Sequence, residues 1–336
     1  MKIIHTTDPK FDSFWQQGEK QIHGATVFYT KAFRQYEKLL FSDRMIFDDS
    51  FVVVSEAKEV LALVPLYAFK NENGLLQYSY GADYLRGPII SGGEGKKSFN
   101  KTSDFVFQAI DEIAAQKRIS RCLMMIEPVE LLQQRHYFNY YLEYGYEDAS
   151  TVGCLIEYGK KEELLWSDVR KSYRPLINKA IRTYKSVIIG QNNFDFDLCE
   201  EFRKMHHLAA GRITRPANTF YCMYEMIKSG NAFLILIQNT DLKTIGAYYF
   251  LVHGPYGFYG SAATDPSLDS QSGVGHLGLW SGILFAKKQG CQFMDLGQLL
   301  MRPGGVTEKE KNIFLFKTGF GGEKVVVFRA VKNFNS

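Results

Sequence analysis

The same order of elements is written twice along this chain, and that repetition constrains the fold more than any single motif. In the first half, FVVVSEAKEVLALVPLYAF (51–69) reads as a β-hairpin, two β-rich runs about a charged turn. LLQYSYGADYLRGPII adds a third run. Segment 102–117 then carries apolar Val106, Ala109, Ile110 and Ile113 at helical spacing, with Thr102 or Ser103 placed to cap it. CLMMIE (122–127) closes the set as a strand. In the second half, AFLILIQNTDLKTIGAYYFLV (232–252) is the hairpin and YGFYGSAAT the third strand. HLGLWSGILFAKKQG (276–290) is the helix, ending where Gly290 suits a C-terminal cap, and QFMDL (292–296) is the last strand. A hairpin, strand, helix, strand unit present twice implies a duplicated α/β (α+β) domain.

A length of 336 residues suits two domains of roughly 150 residues each. The repeat places them at 1–155 and 156–322, with the strand KVVVFRAV in 323–336 free to return to the first. KKEELLWSDVRKSYRPLINKAIRTYKS opens the second domain as a basic helical segment that Pro175 should kink or divide. With 40 basic against 36 acidic residues, the net charge of +4 excludes a dedicated nucleic-acid coat, so an anionic ligand must be met by a local patch. The cysteines Cys122, Cys154, Cys199, Cys222 and Cys291 are odd in number, scattered and without a CxxC pair. They offer neither a disulfide framework nor a zinc site, and they fit reduced thiols. No apolar stretch reaches the roughly 18 residues that cross a bilayer. The expectation is a soluble, cytoplasmic protein.

Four stretches resemble one family, in that family's order. YLRGPII (84–90) is similar to the aromatic-x-Arg-Gly-Pro segment of the FemABX peptidyltransferases, and KSYRPLINKA (171–180) resembles their basic helix after the first domain. LGLWSGILFAKKQGCQFMDLG (277–297) looks like their Trp-containing helix followed by Phe-x-Asp-x-Gly, and FKTGFGG (316–322) matches their Phe-Lys-x-x-Phe. The resemblance implies two tandem GNAT-like acyltransferase domains with an interdomain cleft. It also implies an aminoacyltransferase that moves an amino acid from aminoacyl-tRNA to a primary amine of a peptidoglycan precursor or another nucleotide- or lipid-linked cell-envelope precursor. No resident cofactor or metal is implied. The chain has no segment for the long helical arm of some members, so it is similar to the compact, armless ones. It departs from the pattern at Ser91, where the family often has Asp, so a carboxylate base is absent there. Related proteins act in polysaccharide pathways, where the acceptor amine belongs to an amino sugar.

Acyl transfer to an amine needs a stabilised tetrahedral oxyanion. Lys317, between Phe316 and Phe320 beside glycines, is the leading candidate for an oxyanion or phosphate contact; otherwise it is a strand-end lysine whose stem packs on aromatics. Arg86, before Gly87 and Pro88, is placed to bind an anion, with Gly87 letting backbone approach it, or to pair with an acidic neighbour. Arg174, Lys171 and Lys179 share a helix face fit for diphosphate or tRNA, although such a run is commonly a solvated face. In MHHLAAGRITRP (205–216), His206 and His207 point to different sides of a helix and do not share a metal, while Arg212 and Arg215 are binding candidates. Lys31 and Tyr259 complete the substrate-binding set. Tyr248, Tyr249, Tyr256 and Tyr259 surround one hairpin, and strand alternation buries half of them. Asp295 resembles the family's Asp and reads as an organiser of backbone amides. SQSGVGHLG (270–278) keeps a rival open: Gly273 and Gly275 have the Gly-x-Gly spacing of an acyl-CoA pyrophosphate loop, although Ser270 stands where Arg or Gln belongs. Acyl-CoA is then the alternative donor and an amino sugar nucleotide the acceptor. A non-catalytic GNAT-like binding scaffold is the third reading.

Overall fold

Two prolines break the apolar runs of the first half where periodicity alone shows no break. Pro65 and Pro88 each lack a backbone donor, and at each the chain leaves one sheet for another. The structure, a computed structural model, describes residues 1–92, 97–134, 138–159, 161–299 and 307–334. The chain divides into one unit of Met1–Thr151 with Val326–Ser336 and another of Val152–Val325.

The first unit holds β1 (Lys2–His5), α1 (Phe11–Gln21), α2 (Lys31–Leu40), β2 (Phe47–Asp48), β3 (Phe51–Val54), β4 (Val60–Val64), β5 (Tyr67–Lys70), β6 (Leu76–Tyr78), β7 (Leu85–Arg86), β8 (Ile89–Ile90), α3 (Lys97–Lys117), β9 (Arg121–Met125), α4 (Pro128–Gln134) and β10 (Glu147–Asp148). The second holds β11 (Thr151–Glu157), α5 (Glu162–Asp168), α6 (Tyr173–Thr183), β12 (Lys185–Ile189), α7 (Phe196–Ala210), α8 (Ala217–Lys228), β13 (Ala232–Gln238), β14 (Thr244–His253), β15 (Tyr256–Thr264), α9 (Val274–Lys288), β16 (Phe293–Leu299), α10 (Glu308–Thr318) and β17 (Glu323–Val327). A last strand, β18 (Arg329–Asn333), belongs to the first unit.

The hairpin of 51–69 is β3 and β4, with β5 split off at Pro65. One sheet of the first unit runs β1-β3-β4-β8 and the other β10-β18-β9-β6-β5-β2, with β7 parallel to β9. α3 begins five residues before the expected cap, at Lys97. Thr102 and Ser103 lie inside it, buried, and the Thr102 hydroxyl donates to the Ser98 carbonyl at 3.0 Å, which satisfies a mid-helix hydroxyl without a cap.

In the second unit seven strands form one sheet, β12-β13-β14-β15-β16-β11-β17. Both faces are covered. Tyr248 and Phe250 lie against Gly278 and Gly282 of α9, whereas Tyr249 stacks on Phe202 of α7 and donates to the Met223 carbonyl of α8 at 3.0 Å. Alternation therefore exposes none of the four tyrosines: Tyr248 and Tyr249 of β14 and Tyr256 of β15 are buried, and Tyr259 of β15 is half-buried. The basic segment is divided at 169–172, and Pro175 falls in the first turn of α6, where its missing donor costs no helical bond. FKTGFGG is the end of a helix rather than a strand-to-strand turn, because Thr307 and Glu310 form a capping box that starts α10 upstream of it. KVVVFRAV is two strands, β17 and β18, separated at Phe328.

Candidate active site

The sheet of the second unit opens between β15 and β16. The two pair in parallel only over Tyr256–Phe258 and Phe293–Asp295; β15 then continues against β14 and β16 against β11. Tyr259 is the first residue of β15 beyond the last pair, and Gly297 follows on β16. Such a parting of parallel strands is where an open α/β sheet takes a ligand.

Lys317, in the last turn of α10, brings its ammonium to this parting. A Cβ added at Gly297 would stand 2.9 Å from Lys317 Nζ, and Gly297 has φ +85°, so only glycine serves there. Asp295 Oδ1 accepts from the Gly297 amide at 2.6 Å, which fixes that turn and keeps a carboxylate near the ammonium. Burial holds the Lys317 pKa below the ordinary lysine value, against the opposing pull of Asp295 and Cys154. The result is a desolvated cation at a fixed place. Asp295 lies within β16.

The N-terminus of α9 is the adjoining wall. Gly273 has φ +75°, and a Cβ there would meet the Leu176 carbonyl oxygen at 2.5 Å, so this glycine seats α9 on α6. His276, in the first turn of α9, escapes motif reading because it belongs to no spacing pattern. Its ring lies edge-on to Tyr173 at 4.4 Å and to Phe316 at 5.2 Å between centroids. Burial, with the Arg170 charge adding to it, lowers its pKa to about 4. Next to Lys317, Cys154 is fully buried and burial pushes its thiol up to about 11, so it is no nucleophile at neutral pH. Among the described residues no group of His, Cys, Asp and Glu is arranged to hold a metal, and no helix is long and apolar enough to cross a membrane.

The remaining candidates take other places. Arg86 carries its own counter-ion: its Nε donates to Glu127 Oε1 at 2.7 Å, with Glu127 buried, the Arg86 side chain 14% exposed and the guanidinium 3.9 Å over the Phe28 ring. Burial opposes the Arg86 charge, but Glu127, aided by Tyr80 and Glu37, outweighs it and raises the pKa. Gly87 makes room for Tyr141, whose hydroxyl would collide with a Cβ there. Lys31 opens α2 in an exposed pair with Asp12 at 2.9 Å. Arg174 donates to the carbonyls of Val169 and Ser167 at 2.9 and 2.6 Å, closing the end of α5. Lys179 and Arg212 are exposed. Arg215 donates to His206 Nε2 at 2.9 Å and lies over Phe220, so it is held within the α7–α8 pair.

That bond fixes the His206 tautomer, since arginine can only donate: Nδ1 carries the proton and faces Thr214 Oγ1 at 3.1 Å. Burial, then the charge of Arg215, lowers the His206 pKa to about 4. An unfolded histidine takes its proton near pH 6.5, so between those values the unfolded chain binds more protons. Stability is complete above about pH 6.5 and falls as the pH drops toward 4. The thermal midpoint is expected to be lower at pH 5 than at pH 7, and His206→Gln should flatten that slope.

No protein-family model matches the sequence, and no curated protein matches it. Solved structures do match the fold along its length. FemX superposes with a TM-score of 0.65 at 14% identity, covering 98% of this chain and 97% of that one. The chain has a FemX-like duplicated GNAT fold. L-PGS from Bacillus licheniformis shares it with a TM-score of 0.56 at 13% identity over 85% of each chain. A tandem GNAT protein from the clavulanic acid biosynthesis pathway reaches 0.50 at 9% identity over 100% and 99%. In the duplicated GNAT fold seen here, the parted strands and the half-buried Lys317 belong to the second copy.

Proposed function

We propose that this chain is an N-acyltransferase of the FemABX type. It transfers an aminoacyl group from aminoacyl-tRNA to a primary amine of a peptidoglycan precursor or another cell-envelope precursor, in the cytoplasm and without a resident cofactor. The observation that carries the reading is the Lys317 ammonium, desolvated beside Gly297 where β15 and β16 part. The neutral acceptor amine attacks the ester carbonyl; the new C–N bond forms, the C–O bond to the donor's ribose breaks, and the amine's surplus proton goes to the leaving oxygen. Lys317 stabilises the tetrahedral oxyanion between those events. Half-buried Tyr259 lines the approach, and exposed Lys179 and Arg212 are offered as contacts for the anionic parts of the substrates. The buried state of Cys154 favours direct transfer over an acyl-enzyme.

The test is transfer of a radiolabelled amino acid from a charged tRNA pool to amine-bearing precursors, alongside thermal shifts with the same ligands. Transfer from charged tRNA that is lost in Lys317→Met supports the proposal. A response to acetyl-CoA alone replaces the donor, and silence toward every donor leaves a binding scaffold.

A further inference from the structure

On the face formed by α5 and α6 the acidic residues all belong to α5, and the stretch that carries α6 does not neutralise its own charge. Between Asp168 and Asp195 the sequence has no acidic residue, while Arg170, Lys171, Arg174, Lys179, Arg182 and Lys185 all fall there. Lys171, Lys179 and Arg182 are exposed and make no ion pair among the described residues. Arg174, Asn178 and Arg182 follow one stripe of α6, and with Lys171 just ahead of the helix they line an open depression of about 580 Å³. A second depression of about 350 Å³ adjoins it through Asn178 and Ile181 and is walled by Trp166 and Trp280. An apolar side chain stands out between the two depressions: Ile181 of α6 lines both and is 53% exposed. Glu162 and Glu163 border the aromatic depression only, so the cationic one keeps its sign.

We infer that this α5–α6 face docks the protein on an anionic lipid bilayer. An interface of that kind takes every part of the surface at once. Ile181 enters the boundary of the acyl chains, the Trp166 indole lies at headgroup depth, and the cations meet anionic headgroups. A polynucleotide would use the cations but would leave the exposed Ile181 with nothing to gain from contact. Docking itself is independent of the acyl transfer proposed above. Its use in catalysis rests on that reading, with the acceptor presented on a lipid.

The experiment is co-sedimentation of the full chain with phosphatidylcholine vesicles, with and without phosphatidylglycerol, and with a short single-stranded RNA as competitor. The wild type should sediment with the anionic vesicles, less so as salt rises, and remain in solution with pure phosphatidylcholine. Ile181→Asp and the pair Lys171→Glu and Arg182→Glu should each weaken partitioning by about tenfold or more with the thermal midpoint unchanged, because these positions are exposed. Lys317→Met should sediment like the wild type even where it has lost turnover, so the two proposals fail separately. A wild type that ignores anionic vesicles, variants that bind like the wild type, or binding of RNA through these residues in place of vesicles would each overturn the inference.

Discussion

Replacing Lys317 by Met should lower kcat by about two to three orders of magnitude, the scale for removal of one oxyanion partner. The thermal midpoint should be kept, since Met fills the space of the lysine stem and removes only a desolvated charge. The ammonium is the working form, and burial holds its pKa below the ordinary lysine value. Activity should therefore be present at lower pH and fall as the pH rises through that lowered value, earlier than an exposed lysine would dictate. Asp295 opposes the shift, so Asp295→Asn should move the alkaline limb to still lower pH. A pH–rate profile of the wild type and Asp295→Asn, with turnover of Lys317→Met beside it, measures all three. Unimpaired turnover in Lys317→Met would remove this lysine from the site.

The second large effect is on stability. Glu127→Ala leaves the Arg86 guanidinium buried against Phe28 without its carboxylate, and breaking a buried pair from one side costs about 3–5 kcal/mol. Denaturant unfolding should show that loss. The double replacement Arg86→Met with Glu127→Leu should recover much of it, because neither charge is then stranded. Were Arg86 a substrate contact instead, Arg86→Met would raise KM and leave the unfolding midpoint in place.

The contrast between Arg86 and Lys317 shows what this sequence makes legible. The duplicated order of elements is local information, carried by periodicity and glycines, and both copies can be read from it. The Lys317 position is also readable, since Phe-Lys-Thr-Gly-Phe-Gly-Gly is compact and ordered relative to the other motifs. Its helix is readable too, from Thr307-x-x-Glu310, but the glycine cluster that follows draws attention to a turn. The partner of Arg86 is not readable, because Glu127 lies 41 residues away, between β9 and α4. Nor is the duty of Arg174, whose spacing fits a basic face while its guanidinium closes the end of the preceding helix. Burial of the tyrosines follows from helices covering both faces of the second sheet, which no alternation pattern reports.

The position of β18 bears on how the protein is made. It is an inner strand of its sheet, with β9 along one side and β10 along the other, yet in the sequence it comes after the whole second unit. Until it is made the N-terminal unit keeps the facing edges of β9 and β10 without a partner. Val152–Val325 is translated in full before that gap can be filled. Synthesis therefore runs against the usual N-to-C order of folding, and the nascent first unit holds an open strand edge, the kind of surface that recruits chaperones or foreign strands, for the whole time its neighbour is being translated.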